Sequence, residues 1–198
     1  MFKKTLLAMA ATSLFSGVAF NAFADQGHGT VTFTGTVITA PCSIAPGDED
    51  LKVNLGEVAD SVLNGGKYSM PADFTIHLQD CVFTSTTDEE TSTTTVTPSK
   101  VEVTFTSNKV DTSNKVDSTD TSLLANSLEG NYGAASNVGV RILDAGSNEV
   151  TLGTPVSVTF LDTNSYQELN FHARMESPDK DATEGNVYAQ ANYVLAYK

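Results

Sequence analysis

Catalysis needs nucleophiles, bases or ligands within reach of one another, and this chain offers few. Its 198 residues hold three histidines, two cysteines and no tryptophan. His28 lies in a Gly/Thr-rich stretch, GHGTVTFTGTVITAPCSI (27–44). His77 and His172 alternate with apolar residues in FTIHLQ (74–79) and LNFHARM (169–175). None of the three accompanies a serine or cysteine motif of the kind that activates a nucleophile. Without that constellation the histidines read as ordinary strand residues, and the chain reads as no enzyme. Acidic residues gather in two polar stretches, as Asp111, Asp117 and Asp120, and as Asp179, Asp181 and Glu184. Neither set has the ligand spacing and glycine of a calcium loop. Both read as solvated acidic loops, with no metal and no cofactor expected.

The remaining chemistry is redox. Residues 1–24 read as an export signal, with Lys3 and Lys4 as its basic end, Leu6 to Phe20 as its apolar core and Ala22-Phe23-Ala24 as its cleavage site. The apolar core is short for a membrane span and is interrupted by Thr12, Ser13, Ser16 and Gly17. No later stretch is apolar for long enough to insert in a bilayer. Two cysteines, Cys42 and Cys81, in an exported chain point to one disulfide in an oxidising compartment, with two free buried thiols as the other reading. The disulfide would contribute roughly 3–4 kcal/mol in the chain-entropy picture. Without the signal's two lysines, 9 of the 11 basic residues face 24 acidic ones. That balance argues against nucleic acid and against anionic membrane surfaces as partners.

The elements that would carry these residues are strands. Val31, Phe33, Gly35 and Val37 fall on one face of an extended segment, and Thr30, Thr32, Thr34 and Thr36 on the other. The same alternation recurs at Leu51, Val53 and Leu55, at Phe74, Ile76 and Leu78, and at Val101, Val103 and Phe105. Further strands are expected over 138–143, rich in β-branched residues, and over 155–160 and 169–175, and a last strand from 187 to 198 puts Ala189, Ala191, Tyr193, Leu195 and Tyr197 on one face. Cys81 is out of phase with Phe74–Leu78, and a bulge near Gln79-Asp80 would bring it inward. Residues 83–99 and 107–122 are Ser/Thr/Asp-rich with no apolar period and read as exposed loops. Leu123, Leu124 and Leu128 read as a short helical turn or an irregular crossing. No stretch holds a 3.6-residue apolar period for three turns, so the chain is expected to be all-β, a sandwich or barrel of eight or nine strands without a second domain.

Five motifs in order, GTVTFTGTVITAPCSI (29–44), FTIHLQDC (74–81), NVGVRILD (137–144), LNFHARM (169–175) and ANYVLAYK (191–198), resemble the pilin subunits of chaperone–usher fimbriae, of the type 1 and P pilus major-subunit kind. The likeness spans the chain beyond residue 24. The long polar stretches at 84–99 and 107–122 depart from the family and leave open which kind of subunit this is.

The resemblance implies an incomplete immunoglobulin-like sandwich, completed by a donor strand from the neighbouring subunit. It implies a signal peptide over 1–24, an N-terminal donor-strand extension over 25–38 and a pilin domain over 39–198. Within the extension, Gly29, Val31, Phe33, Gly35 and Val37 would face a neighbour's groove, with Gly35 where the family keeps a glycine. Tyr193, Leu195, Tyr197 and the terminal carboxylate of Lys198 would form the groove edge that a periplasmic chaperone recognises. Cys42 and Cys81 match the family disulfide. The implied partners are neighbouring pilins, the chaperone and an outer-membrane usher, and the implied destination is the cell-surface fimbrium, where the fibre supports adhesion. Two alternatives stand against this. Residues 27–37 could be an ordinary first strand of the chain's own sandwich. The chain could also be a free-standing secreted β-sandwich that binds carbohydrate, although aromatic residues make up only 8% of it.

Overall fold

The computed structural model describes residues 29–107, 122–160, 162–177 and 181–198. The expected export signal, His28, Asp179 and the acidic set Asp111, Asp117 and Asp120 lie outside the described residues. The chain divides into two units, residues 1–37 and residues 38–198. In the first, residues 29–37 are exposed and form no strand or helix.

The second unit is built from ten antiparallel strands among the described residues: β1 Ser43–Ile44, β2 Ala72–Gln79, β3 Thr84–Asp88, β4 Thr93–Thr97, β5 Lys100–Thr106, β6 Leu123–Ala125, β7 Gly139–Asp144, β8 Val156–Thr159, β9 Gln167–Glu176 and β10 Asn192–Tyr197. Two short helical turns, Asp48–Asp50 and Asp60–Leu63, interrupt the connections. One sheet has the order β1-β2-β9-β7-β6, a second has β10-β5-β8, and β3 pairs only with β4. The alternating residues decide the layering. Ile76 and Leu78 of β2, Leu169 and Phe171 of β9 and Ile142 of β7 meet Val101, Val103 and Phe105 of β5 in one core. Its centre is aromatic, with the Phe105 ring edge-on to Phe171 at 5.0 Å and Phe74 stacked on Phe171 at 5.7 Å. Such pairs contribute about 0.5–1.5 kcal/mol beyond their buried area.

The outer face of the larger sheet is polar but closed. Arg141 is buried and donates from Nε to Glu176 at 2.7 Å, with Nη1 at 3.3 Å from Glu149. Arg174 joins the same two carboxylates at 3.0 and 3.2 Å and lies 3.7 Å above the Tyr68 ring. Each buried charge therefore has an opposite charge beside it, which a buried charge requires.

Several expectations are altered. The Thr-rich stretch after Phe83 is a β-hairpin rather than a loop, with Thr84 opposite Thr97 and Asp88 opposite Thr93. Its residues favour strands, yet neither face is buried, so no apolar period marks it. Leu123 and Leu124 sit in β6 and are buried against β7, so they form neither a helical turn nor an irregular crossing. Cys81 is turned inward without a bulge. Asp80 adopts φ 53°, ends β2 and redirects the chain, and the Cys81 N–H donates to the Ser165 carbonyl at 3.0 Å. The last strand is shorter than 187–198, although alternate burial persists from Val187 onward. Leu51, Val53 and Leu55 are half-buried and alternate with exposed neighbours, yet they form no strand.

Candidate subunit-binding groove

That last difference locates the site. β10 lies at the edge of its sheet and pairs with β5 alone, from Asn192 opposite Thr106 to Tyr197 opposite Val101. Among the described residues its other edge is unpaired. Tyr193, Leu195 and Tyr197 point inward and are half-buried, while Asn192, Val194 and Ala196 are exposed. Facing that edge is the segment 51–57. Leu51 and Leu55 pack on the core that also receives Tyr193, Leu195 and Tyr197. Asp48 meets Tyr193, and Leu55 and Val187 rest on the same smaller cluster around Leu63, Val138 and Met175. The two edges therefore run in opposite directions. Among the described residues, no backbone–backbone hydrogen bond joins 51–57 to β10 or to any other strand. Each edge has its apolar side chains turned to the core and its backbone groups left for a partner. A sandwich with two such facing edges lacks one strand.

Both ends of the groove are anchored. The Lys198 terminal oxygen accepts the Ser99 N–H at 2.7 Å and the Lys100 N–H at 3.2 Å, and Lys198 N–H donates to the Lys100 carbonyl at 2.9 Å. These bonds fix the end of β10 on the start of β5. Cys42 and Cys81 form the disulfide. The Val82 N–H donates to the Pro41 carbonyl at 2.8 Å, so the residue just before Cys42 is tied to the end of β2. Burial pushes the Tyr193 hydroxyl up to about 12, helped by Asp48, Glu49 and Tyr197 nearby, and burial raises that of Tyr197 as well. Both phenols remain protonated donors throughout the neutral range.

The sequence-derived residues fall into two sets. Tyr193, Leu195 and Tyr197 come together on β10, with Lys198 directly after it. Gly29, Val31, Phe33, Gly35 and Val37 belong to the other unit, with Val31 at 74%, Phe33 at 88% and Val37 at 101% exposure. An alternating apolar segment left this open has none of its apolar face covered. No atom lies within 4 Å of where a Cβ on Gly29 or Gly35 would stand. Sequence reasoning missed Asp48, which is buried inside PGDED (46–50), a stretch whose composition marks it only as a turn. It had no signal to separate Asp48 from Glu49 and Asp50.

Elsewhere His77 and His172 sit in strands β2 and β9. His77 and His172 each contact one carboxylate, Asp48 at 2.8 Å and Asp73 at 2.7 Å. Among the described residues, no three His, Cys, Asp or Glu side chains gather as metal ligands. A cleft of about 550 Å³ opens at the opposite edge of the smaller sheet, between β8 and β9, with Val158, Phe160 and Phe171 inside and Asp144, Asp162 and Tyr166 at its rim.

Residues 31–198 match the family model described as fimbrial protein. The chain is 56% identical to the uncharacterized fimbrial-like protein YgiL of Escherichia coli K12, over 100% of this chain and 98% of that one. It is 37% identical to the major MR/P fimbria protein of Proteus mirabilis HI4320, over 88% and 87% of the two chains. Among solved structures it is similar to a subunit of a chaperone–usher pilus studied for rod uncoiling, with a TM-score of 0.60 at 27% identity, over 87% of this chain and 97% of that one. The P pilus rod subunit PapA shares the fold, with a TM-score of 0.58 at 23% identity over 80% and 100% of the chains.

Proposed function

This chain belongs to the fimbrial protein family and is a structural subunit of a chaperone–usher pilus at the cell surface, and we propose that copies of it join by exchanging the strand that each one lacks. In this reading residues 25–38 are the donor extension and residues 39–198 the accepting domain. Val31, Phe33 and Val37 enter the groove of the next copy, and Gly35 lets the two backbones approach closely. The observation that carries it is the pair of facing edges, β10 and 51–57, neither with a ladder partner on the groove side among the described residues. An added strand satisfies both rows of backbone groups and fills the apolar floor. Burying Val31, Phe33 and Val37 is worth roughly 1.5–3 kcal/mol each.

An open groove is an aggregation hazard before assembly. A periplasmic chaperone that lends a strand to β10, with Tyr193, Leu195, Tyr197 and the Lys198 carboxylate as its contacts, removes the hazard. An outer-membrane usher is where the exchange to the neighbour's extension takes place. The chain performs no catalysis of its own in this reading, and adhesion is a property of the fibre. The carbohydrate-module alternative predicts a complete sandwich, which the unpaired edges disfavour.

The test is complementation. The chain lacking residues 25–38 is refolded and mixed with a synthetic peptide of that stretch. One-to-one binding with a large rise in thermal midpoint is expected. A truncated chain that is already stable and ignores the peptide would show that no strand is missing.

A further inference from the structure

The segment 51–57 poses a mechanical question. It forms one lip of the groove, yet no ladder bond holds it among the described residues. A lip held only by half-buried Leu51, Val53 and Leu55 has many positions available to it. A strand can be received only where the two lips stand about 10 Å apart, twice the usual interstrand spacing.

The turn immediately before the lip supplies the restraint. Asp48 is buried, and one carboxylate oxygen takes two contacts from His77: the backbone N–H at 2.6 Å and ring Nδ1 at 2.8 Å. The Ala45 N–H donates to the His77 carbonyl at 2.9 Å, so the turn is pinned to β2 and hence to the larger sheet. The backbone carbonyl of Asp48 accepts the Tyr193 hydroxyl at 2.9 Å. Tyr193 belongs to β10, in the smaller sheet, and its ring packs near Phe105 at 6.4 Å. One residue thus links both sheets, and its link to Tyr193 runs from the turn that leads into one lip of the groove to the strand that forms the other. The phenol's raised pKa keeps the proton that makes this bond.

We propose that Asp48 and Tyr193 are positioning residues for strand capture: the carboxylate fixes the turn on β2, and the phenol spans the groove and sets the spacing of its lips before a strand arrives. The inference rests on the strand-exchange reading above and adds to it what keeps an unpaired lip ready. A pre-set lip lowers the ordering cost of binding and raises the fraction of chains competent to accept. Its loss therefore acts on association.

The experiment uses the full chain from residue 25 with an excess of fluorescent peptide 25–38, read by anisotropy in stopped-flow mode. Tyr193→Phe keeps the ring and removes only the bridging hydroxyl. It is expected to slow peptide association about five-fold, the change that one hydrogen bond of about 1 kcal/mol converts to, while the dissociation rate stays within two-fold. Asp48→Ala should slow association at least as much, and Asp48→Asn, which keeps an acceptor oxygen, should recover part of the rate. The thermal midpoint of the unbound chain is recorded for each variant. If all variants capture peptide at the wild-type rate, or lose it only in proportion to a lowered midpoint, the bridge is merely structural and the inference is overturned. If wild type itself takes up no peptide, the strand-exchange reading is overturned and this one with it.

Discussion

Phe33 is an aromatic side chain at 88% exposure in a segment whose other face is threonine. Folding of a lone chain gains nothing from leaving it there, whereas the proposed insertion into a neighbour would bury it. Phe33→Asp should therefore leave the folded domain's thermal midpoint unchanged and abolish fibres, because a carboxylate in an apolar groove remains unpaired. Electron microscopy of the assembled product, with the monomer's melting curve beside it, checks both halves. Asp144 shows the opposite case, a residue whose contribution is spent inside its own turn. Burial raises its pKa, but the Asn148 side chain, the Asn148 and Gly146 backbone N–H groups and nearby His172 outweigh that and hold it below the usual carboxylate range. A folded pKa below the unfolded value means stability that is present above the unfolded pKa, about 3.9, and lost as pH falls through the folded one. Asp144→Asn should accordingly lower the urea midpoint at pH 7, and the gap from wild type should close as the pH is taken below about 4. An equal gap at pH 7 and pH 3 would show that the turn's geometry, rather than its charge, is what matters.

Period-two alternation made β2, β5, β9 and β10 legible from residues alone, because each buries one face on a common core and its side chains must alternate. It failed at β3 and β4 for the converse reason: a ribbon with both faces in water carries no apolar signal, whatever its backbone does. At Leu51, Val53 and Leu55 the alternation is real as burial and absent as a ladder. The sequence pattern was written for a strand whose hydrogen-bond partner is not part of the same domain, so the mismatch marks the groove. Asp48 was illegible because its burial depends on His77 and Tyr193, 29 and 145 positions away. The exposed hairpin carries a prediction of its own. β3 and β4 pair with each other alone, and Thr84 stands directly opposite Thr97. Replacing residues 85–96 by Asn-Gly keeps that pair and closes it with a two-residue turn suited to hairpins. No fully buried side chain is removed, so the midpoint should move by no more than about 2 °C, less than 1 kcal/mol for a domain of this size. A loss of 5 °C or more would show that the ribbon braces the sandwich.

At the scale of the whole molecule, the proposed donor strand, residues 25–38, and the groove lie in one chain, and the proposal has them meet between copies rather than within one. Moving the strand tests that statement. β10 ends at Tyr197, and Lys198 directly after it is fastened to the start of β5. A four-residue turn after Lys198 followed by a copy of residues 27–38, with the original 25–38 removed, would run back antiparallel along the free edge of β10. A short flexible link gives the appended strand an effective concentration in the millimolar range, far above that of free subunits in dilute solution. The groove should then be filled from within. The rearranged chain is expected to be monomeric by light scattering, to ignore added 25–38 peptide and to melt about 6–16 °C above the truncated chain, as a net gain of about 3–4 kcal/mol implies at this length. The net negative charge of 13 already opposes casual association of copies, so a monomer would mean that the groove alone drives assembly. Fibres formed by the rearranged chain would instead place the polymer contact on another surface.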